Sequence, residues 1–216
     1  MNSHPPLRLE PRRTESHKGS FGRLVLVGGS RGMTGSIAMS SLAALRVGAG
    51  LVTAAVPDRC LEPVAAHHPC AMPRPISDDG TGRFSLDAAA EVVSSIAGAS
   101  AIAAGPGMTV GPGSLRIAER LLGLKSVPRV LDADALNALS ELGWPSIRGK
   151  ETAPSQISDH GPLVLTPHPG EFERLSGVSS RDRKEQIEAA QQMADSHGVV
   201  VVLKGGPTVV TAPQQE

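Results

Sequence analysis

At 216 residues and 22.3 kDa the chain has the length of one sizeable domain. Its 21 Lys plus Arg balance 21 Asp plus Glu, so it lacks the charge excess that drives general nucleic-acid or anionic-membrane binding. Hydrophobic residues at 40% sustain a core, whereas three Phe, one Trp and no Tyr are too few for a stacking platform or an aromatic cage.

Residues 1–10 are polar and proline-bearing, with no apolar segment of the kind a secretory signal needs. No apolar run approaches the ~18 residues that would span a bilayer. Cys60 and Cys70 are too few for a disulfide framework or a zinc knuckle. These features predict a soluble, cytoplasmic protein. Residues 1–20 read as a flexible or loosely docked lead-in, and residues 21–216 as one domain.

From there the chain alternates short apolar runs with helical patterns. Strands are predicted at 24–28, 50–56, 100–104, 129–132, 162–166 and 199–203. Helices are predicted at 35–47, 86–97, 113–124, 134–142, 170–176 and 181–197. Most of the strand runs are apolar throughout, as in parallel strands covered on both faces. The alternation implies an α/β fold, a doubly wound and mostly parallel sheet with helices on both faces. Polar stretches at 71–85 and 144–160 are predicted as surface loops. After 199–203, Gly205-Gly206-Pro207 reads as a turn into another strand at 208–211, and the chain then stops. A domain finishing on a lone strand suggests that a C-terminal part is missing.

The chemistry-bearing segments lie where strands end, the edge at which open α/β sheets bind ligands. Gly28-Gly29-Ser30-Arg31-Gly32-Met33-Thr34-Gly35-Ser36 follows the first strand and opens a helix, whose free N–H groups suit an anion. Its spacing fits neither a dinucleotide loop nor a Walker loop, and a ligand-free tight turn explains it equally. Gly105-Pro106-Gly107 makes a rigid turn, with or without a ligand. Asp132 and Asp134 can cap a helix or hold Mg²⁺ together with substrate phosphates. His168 stands between two prolines, and Glu171 gains from a helix dipole whether or not it binds anything. Lys204, emerging into Gly205-Gly206, can meet a phosphate as a point charge or merely finish a hairpin. Together these segments argue for a small molecule that carries phosphate.

The same residues carry a resemblance. His17-Lys18-Gly19, Gly28-Gly29-Ser30, Leu45-Arg46-Val47-Gly48-Ala49-Gly50, Gly105-Pro106-Gly107, Asp132-Ala133-Asp134-Ala135-Leu136-Asn137, Thr166-Pro167-His168-Pro169-Gly170-Glu171 and Leu203-Lys204-Gly205-Gly206-Pro207-Thr208 occur in order. The chain resembles the ADP- or ATP-dependent NAD(P)H-hydrate dehydratases of the ribokinase-like superfamily from about residue 17 onward. The resemblance implies a ribokinase-like α/β fold and repair of hydrated NADH or NADPH (NADHX, NADPHX). In that chemistry the hydrate hydroxyl is phosphorylated from ADP or ATP, and phosphate is then eliminated. It implies Mg²⁺ and a homotetramer as well. Ser36 stands where the family usually has Ala against the nicotinamide hydrate, and Gly107 and His168 match its other substrate contacts. Lys204, Gly205, Gly206, Pro207 and Thr208 match its adenine-nucleotide segment. Asp132, Asp134 and Glu171 match as metal or phosphate-field residues.

Two departures stand out. Met108-Thr109-Val110-Gly111 follows Gly-Pro-Gly where the family more often has Leu-Gly. The family's Gly-Ser-Gly-Asp segment, with its carboxylate base, does not occur. The catalytic base is therefore unassigned, and a truncated chain of little activity by itself is the expectation. The alternatives are a ribokinase-like kinase of a small alcohol and a non-catalytic nucleotide-binding protein.

Overall fold

A computed structural model of the chain describes residues 11–124, 127–144 and 161–214. Its eight strands are β1 (Arg23–Val27), β2 (Leu51–Pro57), β3 (Met72–Ile76), β4 (Ala101–Ala104), β5 (Arg129–Leu131), β6 (Leu163–Leu165), β7 (Val200–Leu203) and β8 (Val209–Thr211). They form one sheet in the order β3-β2-β1-β4-β5-β6-β7-β8. Every neighbouring pair is parallel except β7 and β8, which are antiparallel. Among the described residues seven α-helices accompany them: α1 (Thr34–Arg46), α2 (Leu61–Ala65), α3 (Ala88–Ser95), α4 (Pro112–Leu122), α5 (Asp134–Glu141), α6 (Pro169–Ser176) and α7 (Arg183–His197). The predicted doubly wound, mostly parallel sheet is what forms.

Local chemistry explains the boundaries. In α4 the buried residues Gly113, Ser114, Ile117, Ala118, Leu121 and Leu122 recur at helical spacing, and Pro112 opens the first turn. Helices α6 and α7 stop at Gly177 and Gly198, both left-handed, where a residue with a Cβ would be strained.

The 71–85 stretch is not all loop, because its first part is the edge strand β3. The sequence Met72-Pro73-Arg74-Pro75-Ile76 conceals it, since proline cannot donate to a ladder. Pro73 and Pro75 are two residues apart, so both missing N–H groups fall on one side of the strand. A sheet edge tolerates this when that side faces away from β2. The short helix α2 was not among the predicted elements either. Apart from Trp144, which is buried, the predicted 144–160 loop lies outside the described residues, as do residues 1–10 of the lead-in. Within residues 11–20, Arg12 donates to the Gly48 carbonyl at 3.2 Å and lies over the Phe21 ring.

Side-chain alternation along β1 sends Val25 and Val27 to one face and Leu26 to the other. The Leu26 face packs with Val52, Ala54, Val56, Ile37 of α1 and Val64 of α2. The Val25 face meets α3 through α7, with Val92, Ile117, Leu136, Phe172 and Ala190 in one continuous core. Burying such side chains stabilises the fold by roughly 1.5–3 kcal/mol each for the larger aliphatic and aromatic ones. Among the described residues no helix is long and apolar enough to cross a membrane.

Candidate functional site

Strand β1 sits between β2 and β4, and the chain moves outward from it in both directions. The crevice at the carboxyl ends of β1 and β4 is thus the topological switch point of the sheet, the usual ligand position in such folds. Two glycine turns meet there. Gly29 N–H donates to the Pro106 carbonyl at 2.9 Å. A Cβ on Gly28 would lie 2.5 Å from the Pro106 oxygen, and one on Gly107 would lie 2.7 Å from the Met33 oxygen and 3.0 Å from Ser36 Cβ. The turns are glycine because they touch, and Ser36, in the first turn of α1, is brought against Gly107.

The Gly-Pro-Gly turn is fastened from the β5 side. Thr109, at φ 55°, donates its N–H to Asp134 Oδ2 at 2.9 Å, and its hydroxyl is 2.7 Å from that of Ser30. Asn137 Nδ2 donates to Asp134 Oδ1 at 3.2 Å, and Arg174 Nε donates to Asn137 Oδ1 at 2.9 Å. Asp134 therefore spends one oxygen on the neighbouring loop and the other on Asn137 of its own helix. Between it and Asp132, Ala133 has φ 48° and ψ −120°, a conformation rare for a residue with a side chain. Strain of this kind persists where surrounding contacts over-determine it.

Further along the sheet edge, Lys204 Nζ lies 2.6 Å from Asp132 Oδ1, an ion pair still partly open to solvent. The Lys204 N–H donates to the Pro167 carbonyl at 2.8 Å, so the lysine turn is tied to the His168 turn. His168 is the N-cap of α6. Its Nδ1 accepts from the N–H groups of Gly170 (3.0 Å) and Glu171 (3.3 Å). With Nδ1 occupied as an acceptor, the neutral ring carries its proton on Nε2. That Nε2 faces Glu171 Oε1 at 3.3 Å, while Glu171 Oε2 accepts the His168 N–H at 2.8 Å. The half-exposed imidazole is thereby locked in orientation by a buried carboxylate.

The predicted residues thus fall into contacting groups: Ser36 with Gly107, Lys204 with Asp132, and His168 with Glu171. Gly205, Gly206, Pro207 and Thr208 form the turn between β7 and β8. The carboxylates suggested for metal do not converge. Among the described residues no three His, Cys, Asp or Glu side chains gather into a possible metal site. Asp134 is turned to Thr109 and Asn137, and Glu171 closes its own helix. Ser30, Thr109 and the amide of Asn137 hold the site together and were not singled out for it. Thr109 was read only as a loop change, and nothing in a lone threonine announces a positive φ.

A groove of roughly 430 Å³ at the ends of β2 and β3, lined by Arg59, Ser77, Asp78 and Glu91 among others, shares none of these residues. There, burial pushes the Asp78 carboxyl up. The N–H groups of Arg59 and Gly80 and the Arg59 guanidinium outweigh that effect and hold it below its ordinary value. A depressed carboxylate contributes stability above the ordinary carboxylate value of about 4, and loses it as pH falls through the folded-state value. Asp78→Asn should accordingly lower the urea midpoint near neutrality, with the gap to wild type closing in acid. A gap independent of pH would show that the charge of Asp78 is not what stabilises.

Residues 24–216 match the family model of the NAD(P)H-hydrate dehydratases. The chain is 40% identical over 207 residues to the bifunctional NAD(P)H-hydrate repair enzyme Nnr of Moorella thermoacetica, covering 95% of this chain and 37% of that protein. It is 33% identical over 205 residues to the enzyme of that name from Escherichia coli, covering 94% and 35%. The chain thus spans little more than a third of the length of these curated relatives. Among solved structures, it is similar to the ADP/ATP-dependent NAD(P)H-hydrate dehydratase of Bacillus subtilis co-crystallised with ATP/Mg²⁺. The TM-score is 0.72 at 30% identity, over 95% of this chain and 65% of that one. A ribokinase-like superfamily protein from Enterococcus faecalis aligns with TM-score 0.74 at 25% identity, over 94% and 64%.

Proposed function

Since the chain belongs to the NAD(P)H-hydrate dehydratase family, we propose that its strand-end residues serve the nucleotide-dependent dehydration of NADHX or NADPHX. The observation that carries this reading is the meeting of two glycine turns at the switch point, with Ser36 against Gly107, alongside a lysine turn two strands beyond β5. Packed backbone to backbone, the two turns would hold Ser36 and Gly107 together as one wall for the hydrated ring. The lysine turn supplies a point charge and amides for phosphate.

Hydroxide is a poor leaving group. Transfer of a phosphoryl group from ADP or ATP to the hydrate hydroxyl replaces it with a phosphate ester. Loss of a ring proton then forms the C=C bond as the C–O bond breaks and inorganic phosphate leaves. Such chemistry rests on positioning and charge neutralisation. Lys204 would neutralise phosphate charge, Ser36 and Gly107 would seat the ring, and His168 would orient the substrate. When bound, Mg²⁺ would neutralise phosphate oxygens. Its ligands would be those oxygens with water and Asp132, which pairs only with Lys204 among the described residues.

Isotope-labelled protein titrated separately with ADP and with NADHX tests the assignment. ADP should shift the amides of residues 204–208, and NADHX those of Ser36, Gly107 and His168. Nucleotide shifts confined to other elements would overturn it. Formation of NADH from NADHX plus ADP, against phosphorylation of small alcohols, separates the dehydratase from the kinase reading.

A further result is expected at His168. Its Nδ1 is engaged by backbone donors, and among the described residues it joins no cluster of three possible metal ligands, which suits orientation rather than metal binding. His168→Ala should weaken NADHX binding about tenfold, a bond's worth of free energy, and leave ADP affinity near wild type. Loss of the helix cap should cost about 1 kcal/mol of stability besides. Equal loss of both affinities would count against the role.

A further inference from the structure

Two arginines among the described residues each aim the guanidinium group at several backbone carbonyls: Arg129, buried against those of Leu122, Val127 and Gly161, and Arg183. Arg183, the first residue of α7, places its guanidinium beneath the turn that joins β7 to β8. Its Nη1 donates to the Lys204 carbonyl at 3.0 Å, and its Nη2 donates to the carbonyls of Leu203 at 3.2 Å and Pro207 at 2.6 Å. These bonds grip both limbs of the turn. Gly205, at φ 138°, lies on the guanidinium, and a Cβ there would sit 3.2 Å from Arg183 Cζ. The Thr208 hydroxyl closes the turn from within, 3.2 Å from the Gly205 carbonyl. On the far side, the Lys204 N–H is held by Pro167.

This arrangement has an electrostatic consequence. The carbonyl oxygens of Leu203, Lys204, Gly205 and Pro207 all accept from the protein itself. A carbonyl oxygen facing a phosphate would repel it, whereas a backbone N–H attracts it. Turning the oxygens inward leaves the face of the turn that carries Lys204 free of their negative ends. Because both terminal nitrogens of Arg183 are committed to carbonyls, its charge reaches a ligand only through the turn. A planar fork can bridge three oxygens at once, which a lysine ammonium on a flexible stem cannot do in the same geometry.

We propose that Arg183 is the positioning residue of the nucleotide turn: its guanidinium draws the carbonyls of Leu203, Lys204 and Pro207 inward, so that Lys204 and the turn amides present themselves to phosphate. This rests on the reading of residues 204–208 as the nucleotide contact. The neighbouring Gln186, one turn further along α7, does the matching work for the histidine turn. Its Nε2 donates to the Pro169 carbonyl at 2.9 Å and more loosely to Val178. The first two turns of α7 thus brace both turns from below.

The test uses the 216-residue protein with Arg183→Met and Arg183→Lys. Amide hydrogen exchange is read across residues 203–208, and ADP affinity is measured by calorimetry. Arg183→Met should speed exchange in this segment at least about tenfold and weaken ADP about ten- to a hundredfold, as the loss of charge-assisted bonds implies. Exchange in β1, β4 and α4 should stay as in wild type. Arg183→Lys keeps the charge but not the fork, and should behave nearly as the methionine variant does. Full recovery by lysine would show that charge alone matters and would overturn the proposal. So would unchanged exchange and affinity in both variants. Uniformly faster exchange throughout the protein would reduce Arg183 to a general structural residue and would overturn it as well. If the wild-type protein bound no ADP, the nucleotide reading would fall, and the exchange data alone would decide whether Arg183 holds the turn.

Discussion

Gly105→Ala should destabilise the protein by about 3–5 kcal/mol, the largest effect expected of any single methyl group added to this site. Two independent penalties combine. Gly105 has φ 125°, and forcing a residue with a side chain into such a region costs about 1–3 kcal/mol. The added Cβ would also lie 1.7 Å from the Asp132 carbonyl oxygen and 2.9 Å from Ala135 Cβ. Neither neighbour is the movable end of a long side chain. One is the backbone leaving β5, the other a methyl in the first turn of a buried helix. Shifting them adds the roughly 1–3 kcal/mol typical of overpacking. For a chain of this length each kcal/mol moves the midpoint by about 2–4 °C, so thermal denaturation should show a fall on the order of 10 °C. Gly35→Ala is the matching control. A Cβ there meets nothing within 4 Å, and the position is helical. Alanine should raise stability there by a few tenths to about 1 kcal/mol. Equal midpoints for the two variants would refute the view that close approach of β4 and β5 dictates the glycine.

Lys204→Met should weaken ADP binding by about ten- to a hundredfold, the range expected when a charge-assisted contact is lost. Stability should change by less than about 1 kcal/mol, because the Lys204–Asp132 pair is partly solvated and such pairs contribute little. The separation between a large binding effect and a small folding effect is the point of the experiment. Methionine preserves the aliphatic stem, so packing is nearly conserved while the charge is removed. Arginine at 204 should not restore full affinity, since its planar fork cannot place one compact charge where the ammonium sits. Calorimetry and thermal unfolding on the same samples suffice. Wild-type affinity in Lys204→Met would remove the lysine from any phosphate role.

Most of the sheet was readable from the sequence, because buried parallel strands appear as short apolar runs and six of the eight strands have that form. β3 escaped because its prolines signal a loop, and only its position at an edge makes them acceptable. The lone strand after the glycine turn was expected, and its antiparallel pairing with β7 became visible only in space. Motif order placed Gly28, Gly107, Asp132, His168 and Lys204 at strand ends. It could not say which would touch. The carboxylates show the limit most plainly. Asp132, Asp134 and Glu171 are chemically alike in a sequence, yet one meets a lysine, one holds the amide of a strained threonine, and one closes a helix cap. Arg183 gave no signal at all. An arginine at the start of a helix is normally solvated, and only the carbonyls above it, about twenty residues further along the chain, reveal its use.

The two prolines of β3 also bear on how molecules of this protein meet one another. An exposed sheet edge offers a row of N–H donors onto which a second polypeptide can zip, and proteins that must stay dispersed at high concentration blunt such rows. With Pro73 and Pro75 the outward row of β3 has no donors at these positions, and Arg74 between them adds a charge. Head-on strand exchange at this end of the sheet is therefore blocked at the level of the backbone, independently of whatever side chains surround it. Restoring the donors by replacing both prolines with threonine would keep the strand's shape and turn a silent border into an adhesive one.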